Sequence, residues 1–462
     1  MSKYLPTYLS KEDNLSAEEA QAIHDQTGRV LEANVVPFLA KAQRIMGSAF
    51  LEWRGEGKYI LTPDGTKFFD CVGAGGVFGL GFAHPDIVEA VTLQARRGGL
   101  ATRAGFIPGQ AELAEKLLSL TPKSLQYVYY GNSGTEAVEA AIKMARVATG
   151  KKKLIGTHLG YHGMSVATIS LSGIGMWRDG IGPYLEGTQL VTHGSLAALE
   201  EVVDSDTAAV VLEPIQWASG CKVVDKDYFK GVKALCEKHG AMLILDEVQT
   251  GLGRTGKVFA MEHWDVEPDL LCVGKVLSGG MVPISAVVYN QRVHKGERMR
   301  PLFNNSSFGG NPLACAAGIT TLNLLSDRYF QRAEKLGDLL GESFEEIKSK
   351  FPEHVAGYHG LGLMRCLEFS NPLYGAVFAE WLRRDESIIT AAMGHIPQFV
   401  RISPPFICED EDIVALKESC LRVIGELAKY TPQELFSDFN KTLQKVQVEL
   451  AKPIEDQEGA LA

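Results

Sequence analysis

The residues with the clearest chemical potential are a lysine, an aspartate and a run of small residues, each at the edge of an apolar or helical segment. Lys275 follows the apolar run Leu270–Gly274 and precedes Ser278-Gly279-Gly280. An ammonium emerging from a buried strand is disfavoured unless it is paired or chemically modified. The alternative is that it snorkels, with its stem on apolar surface and its amine in water. Asp246 and Glu247 end the aliphatic run Leu243-Ile244-Leu245. In parallel sheets, ligands bind beyond the carboxyl ends of strands, although acids also end strands simply to be solvated. Gly131-Asn132-Ser133-Gly134-Thr135-Glu136 leads into a helical stretch that ends at Gly150. Free backbone N–H groups, the positive end of the helix dipole and the hydroxyls of Ser133 and Thr135 suit a phosphate. Ser133 and Glu136 also have capping-box spacing, and the two roles are compatible. A lysine, a carboxylate and a phosphate cradle together are what a pyridoxal-phosphate site requires.

Two other motifs point elsewhere and fail on their context. Gly251-Leu252-Gly253-Arg254-Thr255-Gly256 fits the spacing of a dinucleotide-binding turn. In such a fold the glycines directly follow the strand and open a helix. Here Asp246 and Glu247 intervene and would repel a pyrophosphate, and no convincing helix starts at Gly256. A nicotinamide oxidoreductase built on this loop is therefore a distant rival. His158 and His162 are four residues apart, but Gly160 interrupts any helix and no glutamate follows His158. That is not a zinc motif, and no metal site is expected.

These residues need a scaffold of strands that end at one edge. Short apolar runs at Leu154–Gly156, Gln189–Val191, Ala208–Leu212, Ala241–Leu245, Leu270–Gly274 and Ile284–Val288 alternate with helical stretches at Glu136–Thr149, Leu196–Val203 and Tyr228–His239. Buried strands alternating with helices predict a mainly parallel sheet covered on both faces. After Pro312 the chain is richer in helix, with strands expected at Leu363–Phe369 and Phe399–Ile402 and an amphipathic helix at Asp412–Ala428. A further helix is expected from about Ser16 to Val36, and the polar tail at Glu455–Gly459 is expected to fray. The fold class is α/β: a large domain over residues 63–318, and a smaller α+β domain over 319–462. Residues 1–62 form an N-terminal helical extension and part of the small domain.

Bulk properties set the outer limits. The chain has 462 residues, 45% of them hydrophobic and 22% charged, with a net charge of −10. That length calls for two or more lobes. The charge gives no general footprint for nucleic acid or an anionic membrane. Lys151-Lys152-Lys153 is the basic cluster, expected as a solvated loop after a helix end. Eight cysteines form no CxxC pair and sit in part within apolar runs such as Leu271-Cys272-Val273, which reads as reduced core cysteine. No apolar segment approaches the ~20 residues of a membrane span, and no secretion signal is visible. A cytoplasmic enzyme is the expectation.

With these residues in view, the chain resembles the class III, or ω-type, aminotransferases, which use the type I pyridoxal-phosphate fold. The similarity runs from about Tyr59 to Leu427. It rests on motifs in a fixed order: Gly131–Glu136, Tyr161-His162-Gly163, Glu213-Pro214-Ile215-Gln216, Leu245–Gly256, Gly274-Lys275, Ser307–Pro312 and Val400–Pro405. The helical N-terminal extension is most similar to that of the putrescine, or diamine, aminotransferase branch.

The resemblance implies roles. Lys275 would carry pyridoxal 5'-phosphate as a Schiff base and shuttle a proton at the substrate carbon. Asp246 would keep the pyridine nitrogen protonated. Tyr161 would stack on the ring and Gln249 would bond its 3-oxygen, with His162 and Glu213 also at the cofactor. Ser133, Gly134 and Thr135 would hold the phosphate, joined by Ser307 from a neighbouring subunit, where the family usually has threonine. The implied protein is a homodimer or higher homo-oligomer with shared sites. Arg401 resembles the arginine that grips a substrate carboxylate; the alternative is a surface arginine at a strand end. One departure matters. Many family members carry Gln-Gly-Glu-Gly where this chain has Gln216-Trp217-Ala218-Ser219-Gly220. The glutamate that neutralises the arginine is thus replaced by Ala218, beside a bulky Trp217. The implied reaction is a ping-pong transfer of an amino group from an amine or amino acid to a keto acid such as pyruvate or 2-oxoglutarate. An epimerase or aminomutase of the same fold is the alternative, and it would turn over without a keto acid.

Overall fold

The computed structural model describes residues 6–10, 15–35, 37–45, 49–101, 105–295 and 305–437. The expected tail at Glu455–Gly459 lies outside them. At its centre is an eight-stranded sheet in the order Leu125–Gly131, Ser285–Asn290, Leu270–Val273, Met242–Asp246, Thr207–Leu212, Lys153–His158 and Ser172–Gly173, with Thr188–Val191 also paired to Lys153–His158. Ser285–Asn290 runs antiparallel to both its neighbours, and the other pairings are parallel. Each apolar run named above lies in one of these strands except at the run's ends, where Ala241, Gly274 and Ile284 fall just outside. Leu125–Gly131 and the two-residue Ser172–Gly173 are the additions: in the first, Tyr127-Val128-Tyr129-Tyr130 is partly buried on both faces and lacks the clean apolar run of the others.

Every residue of Thr207–Leu212 and Met242–Asp246 is buried. The period of two along a strand explains this, because alternate residues feed opposite cores. Leu243 and Leu245 pack with Phe229, Val232 and Cys236 of the helix Tyr228–His239. Met242 and Ile244 pack with Ala137, Ala141 and Met144 of the helix Gly134–Thr149 on the other side. The alanine-rich inner face of that second helix lets it lie close to the sheet. All eight cysteines are buried and free.

Two smaller sheets complete the chain. Val355–Leu361, Met364–Phe369, Ile396–Ile402 and Ala391–Met393 form an antiparallel sheet, backed by the helices Phe330–Lys350 and Pro372–Glu386, on which Asp410–Leu427 packs in turn. Near the N-terminus, Arg54–Glu56, Tyr59–Leu61 and Lys67–Asp70 form a sheet that Ile388–Ile389 joins by parallel pairing. The N-terminal helix runs from Ala17 to Val30 and widens to a π-turn over Leu31–Val35; Val36 lies outside the described residues.

The lysine cluster differs from expectation. Lys151 donates to the carbonyl of His239 at 2.5 Å, and Lys153 bonds Asp204 at 2.8 Å and the carbonyl of Val202 at 2.6 Å. Only Lys152 is an exposed lysine of a solvated turn. The end of the helix Tyr228–His239 and the turn after Leu196–Glu200 bring acceptors to the other two, which the local sequence does not reveal.

Candidate active site

Strand register brings the predicted residues to one edge of the sheet. Cys272 pairs with Asp246 across adjacent parallel strands, so Lys275 emerges three residues past the level of that carboxylate. Leu212 pairs with Leu245, which sets Glu213 at the same edge. Lys275 has φ of +45°, a left-handed conformation that a lysine adopts at some cost. Its Nζ donates to Gln249 Oε1 at 2.7 Å. Part of the residue remains open, yet the atoms packed round the amine make burial the largest influence on it. Burial and the nearby Arg401 push its pKa down to about 7, with Arg254 adding to them and Asp246 and Glu213 opposing. Near neutral pH this lysine therefore has a substantial neutral fraction, as a nucleophile or proton acceptor requires.

Asp246, 5% exposed, accepts from the backbone N–H of Val248 at 3.1 Å through Oδ1. Its Oδ2 meets Nδ1 of the buried His162 at 2.8 Å. Burial alone would lower the His162 pKa, but the bond to Asp246, its charge and that of Glu213 outweigh this and raise it. Nε2 of His162 is buried with no partner. Glu213 accepts the Tyr161 backbone N–H at 2.8 Å, and burial pushes its pKa up to about 8. Glu247, the second acid of the strand end, turns away: its carboxylate accepts the backbone N–H groups of Ala260 at 2.7 Å and Met261 at 2.8 Å and fastens the glycine loop.

The small-residue run starts the sixteen-residue helix Gly134–Thr149, with Ser133 as its cap, accepting from Glu136 N at 3.2 Å. The box is only half closed, because the Glu136 carboxylate bonds Asn132 instead. Close approaches shape the cradle. A Cβ on Gly163 would lie 2.2 Å from Thr135 Oγ1, and one on Gly134 would lie 2.6 Å from Val248 Cγ1. The same Val248 methyl is 3.3 Å from where a Cβ on Gly274 would be, so the cradle abuts the turn carrying Lys275. A Cβ on Gly75 would come within 4.0 Å of the lysine amine. Glycines at 134 and 163 thus permit the close approach of Val248 and Thr135, and the donor set suits a phosphorylated ring aldehyde.

On the substrate side Arg401, 6% exposed, is buried and not a surface cap. Its guanidinium carbon lies 5.3 Å from the Trp217 ring centroid, and its Nε has no hydrogen-bond partner. Among the described residues no carboxylate lies within ion-pair distance of it. A cavity of about 200 Å³ opens beside it, and Met176, Trp177, Trp217, Met393 and His395 are among its lining residues. Tyr161 meets Trp177 and Trp217 edge-on at centroid distances of 5.0 and 5.7 Å. Trp177 and His395 had no signal in the sequence, since each reaches the site from a segment without periodicity. Arg254, 1% exposed, donates through Nη1 to the carbonyls of Leu363 at 3.3 Å, Ser403 at 3.5 Å and Pro404 at 2.8 Å. It also lies over Phe406. It clamps the strand end that carries Arg401, and burial pushes its pKa down to about 10. Ser307 is exposed on its loop and not gathered into this chain's own cradle. Its neighbour Ser306 accepts from Asn132 Nδ2 at 3.0 Å.

The doubly covered sheet with a lysine, an aspartate and an anion cradle at the carboxyl ends of its strands defines a pyridoxal-phosphate enzyme of fold type I. The model of the class III aminotransferases matches residues 41–424. The chain is 34% identical over 429 residues to the putrescine aminotransferase of Pectobacterium atrosepticum, covering 90% of each protein. An ornithine aminotransferase structure from Toxoplasma gondii, described with partial occupancy of pyridoxal phosphate at its active site, superposes with a TM-score of 0.77 at 27% identity, over 89% of this chain and 99% of that one. Acetylornithine aminotransferase from Elizabethkingia anophelis gives 0.70 at 31% identity, over 81% of this chain and 93% of that one. This protein belongs to the class III aminotransferase family. It is a pyridoxal-phosphate-dependent transaminase that moves an amino group from an amine or amino acid to a keto acid, and the epimerase alternative is not favoured. Among the described residues no helix is long and apolar enough to cross a membrane.

Proposed function

We propose that Lys275 holds the cofactor as a Schiff base and moves the proton at the substrate carbon, within a homodimeric, cytoplasmic enzyme of three units: residues 1–62, 63–318 and 319–462. One observation carries the assignment. The Lys275 amine, with its pKa pushed down to about 7, lies on Gln249 at the strand end adjoining the Asp246–His162 pair. When bound, the cofactor supplies a carbonyl for the amino group and a ring that accepts electrons from the substrate carbon. Asp246 would hold a proton at the pyridine nitrogen, with His162 fixing the carboxylate that does so. Gln249 would bond the ring's 3-oxygen and Tyr161 would cover its face, while Glu213 orients Tyr161 through its backbone. Ser133, Thr135 and the N–H groups at Gly134 would grip the phosphate. Borohydride reduction of the purified yellow protein should fix the cofactor's mass on the peptide containing Lys275. Finding it on a different lysine would overturn the assignment.

Ser307 is assigned to the phosphate of a partner subunit, and its exposure on the 305–311 loop supports that placing. The active species should therefore be at least a dimer by light scattering. A fully active monomer would contradict it.

Arg401 is assigned to the keto-acid carboxylate through its two-pronged fork. Arg401→Ala should weaken the keto-acid half-reaction by about 1.5–3 kcal/mol, the scale of a hydrogen bond to a charged group. The loss in the amine half-reaction should be smaller. Stopped-flow traces of each half-reaction measure this, and equal losses would refute the assignment. The substrates named for the relatives, putrescine and ornithine, make diamines and diamino acids candidate donors.

A further inference from the structure

We infer that Asp70 is a positioning residue for Lys275: its carboxylate latches the left-handed loop Gly73–Gly76, whose backbone packs over the lysine amine and screens it from water. The inference rests on the Lys275 assignment proposed above and adds a residue on which that lysine depends.

Four successive residues of this loop have positive φ: Gly73 at +57°, Ala74 at +48°, Gly75 at +76° and Gly76 at +98°. Residues take up this conformation singly as a rule. A run of it persists only where the surroundings hold it in place. Asp70 stands at the entrance to the run. Its Oδ1 accepts the backbone N–H groups of Val72 at 2.8 Å and of Gly73, the first left-handed residue, at 2.9 Å.

The carboxylate is itself held from several sides. Asp70 is 5% exposed and ends the strand Lys67–Asp70. Its N–H donates to the carbonyl of Lys58 at 3.1 Å. The N–H of Cys71 donates to the carbonyl of Ile389 at 3.0 Å, and the carbonyl of Cys71 accepts from the N–H of Ser403 at 2.6 Å. The latch is thus anchored both in the N-terminal sheet and in the segment just past Arg401.

The loop meets the site through its glycines. A Cβ on Gly75 would lie 4.0 Å from Lys275 Nζ, and one on Gly76 would lie 3.9 Å from both Gln249 Cγ and Arg254 Nε. The loop therefore adjoins the amine, the amide that holds it and the clamping arginine. It supplies part of the burial that comes first among the causes of the depressed lysine pKa. The charged groups acting on the amine are Arg401 and Arg254, which lower its pKa, and Asp246 and Glu213, which raise it. Asp70 in turn acts by its charge on both guanidiniums. Its two roles pull the lysine in opposite directions when the residue is changed. Freeing the loop admits water and raises the lysine pKa, whereas removing a negative charge lowers it.

The test strips the full chain of cofactor and reloads it with pyridoxal phosphate between about pH 5.5 and 9. Recovery of visible absorbance gives the rate of uptake. Asp70→Ala should move the midpoint of the rate profile upward by at least ~1 pH unit. Asp70→Asn keeps an acceptor for the two N–H groups and loses only the charge, so its midpoint should stay or fall. Gly76→Ala strains the loop from its far end and leaves the Asp70 charge in place. Its midpoint should also rise, and it carries the test if Asp70→Ala fails to fold. In the cofactor-loaded enzyme, the Val72 and Gly73 amides should exchange hydrogen at least ~10-fold faster in Asp70→Ala than in Asp70→Asn. A midpoint that does not rise in Asp70→Ala or in Gly76→Ala, while the wild type loads normally, would overturn the inference and leave the Lys275 assignment standing. Equal shifts in the alanine and asparagine variants would overturn it as well, because the acceptor would then be idle. Cofactor fixed by borohydride on another lysine would overturn the assignment and this inference together.

Discussion

Lys275→Ala should lose turnover by several orders of magnitude. General-base assistance alone contributes ~10²–10⁴, and the variant also loses the covalent hold that sets the cofactor over the sheet edge. The hydrogen-bond partner of Lys275 and the two arginines that act on it cannot substitute. Gln249 is a neutral amide, Arg254 is occupied by three carbonyls, and Arg401 is a permanent cation. The wild-type lysine has a further signature. Its pKa is depressed to about 7, with burial the first cause, so the amine is protonated below that pH and neutral above it. Cofactor uptake by the cofactor-free protein should therefore speed up as pH rises through about 7 and level off beyond it. Rates of absorbance recovery across pH 5.5–9 would measure this, and a midpoint near the ordinary lysine value would show that the surroundings do not act as described. Near-wild-type turnover in the alanine variant would end the assignment altogether.

Asp246→Asn should fold and yet lose most activity, because an amide carries no charge with which to hold a proton at the ring nitrogen. The expected loss exceeds tenfold, or ~1.4 kcal/mol in the barrier. The change reaches His162 as well. In the native chain the carboxylate raises the pKa of this buried histidine against the pull of burial. A raised value means that the pair's stabilisation is fully present below the unfolded histidine's pKa of about 6.5 and is lost as pH climbs through the folded value. The asparagine variant should accordingly melt lower than wild type at acid pH, with the gap closing at alkaline pH. Thermal melts at several pH values separate this from a general loss of packing, which would lower the melting point equally throughout.

Much of this architecture was legible in the chain because the central strands are short, apolar and set between helices. A run such as Leu243-Ile244-Leu245 can satisfy its hydrophobicity on two faces only inside a covered parallel sheet. Lys275 and Asp246 stood out because charged residues rarely follow such runs. Other features depend on partners far along the chain. Glu247 is as acidic as Asp246 and adjacent to it, yet it is spent on two backbone N–H groups thirteen and fourteen residues later. Lys151 and Lys153 look like solvent-facing charge until other segments bring a carbonyl and Asp204 to them. Arg254 sits in a glycine loop that resembles a nucleotide motif, and its work as a clamp involves carbonyls more than a hundred residues away. Trp177 and His395 are isolated residues in aperiodic segments, and only the folded chain sets them beside one cavity.

The wall of that cavity has a further consequence. Arg401 apart, its residues come from the short helix Gly175–Arg178, the turn Trp217–Ser219 and the stretch 391–395, whereas Asp246, Gln249 and Lys275 belong to two adjoining strand ends. The residues around Arg401 and those proposed for amino transfer thus sit on separate pieces of chain. A drifting lineage could retool what the enzyme accepts by trading residues at 176, 177 or 393 and leave the reaction untouched. The same division gives the protein engineer a modular starting point, in which libraries confined to three short segments explore new amines on an unaltered catalytic frame.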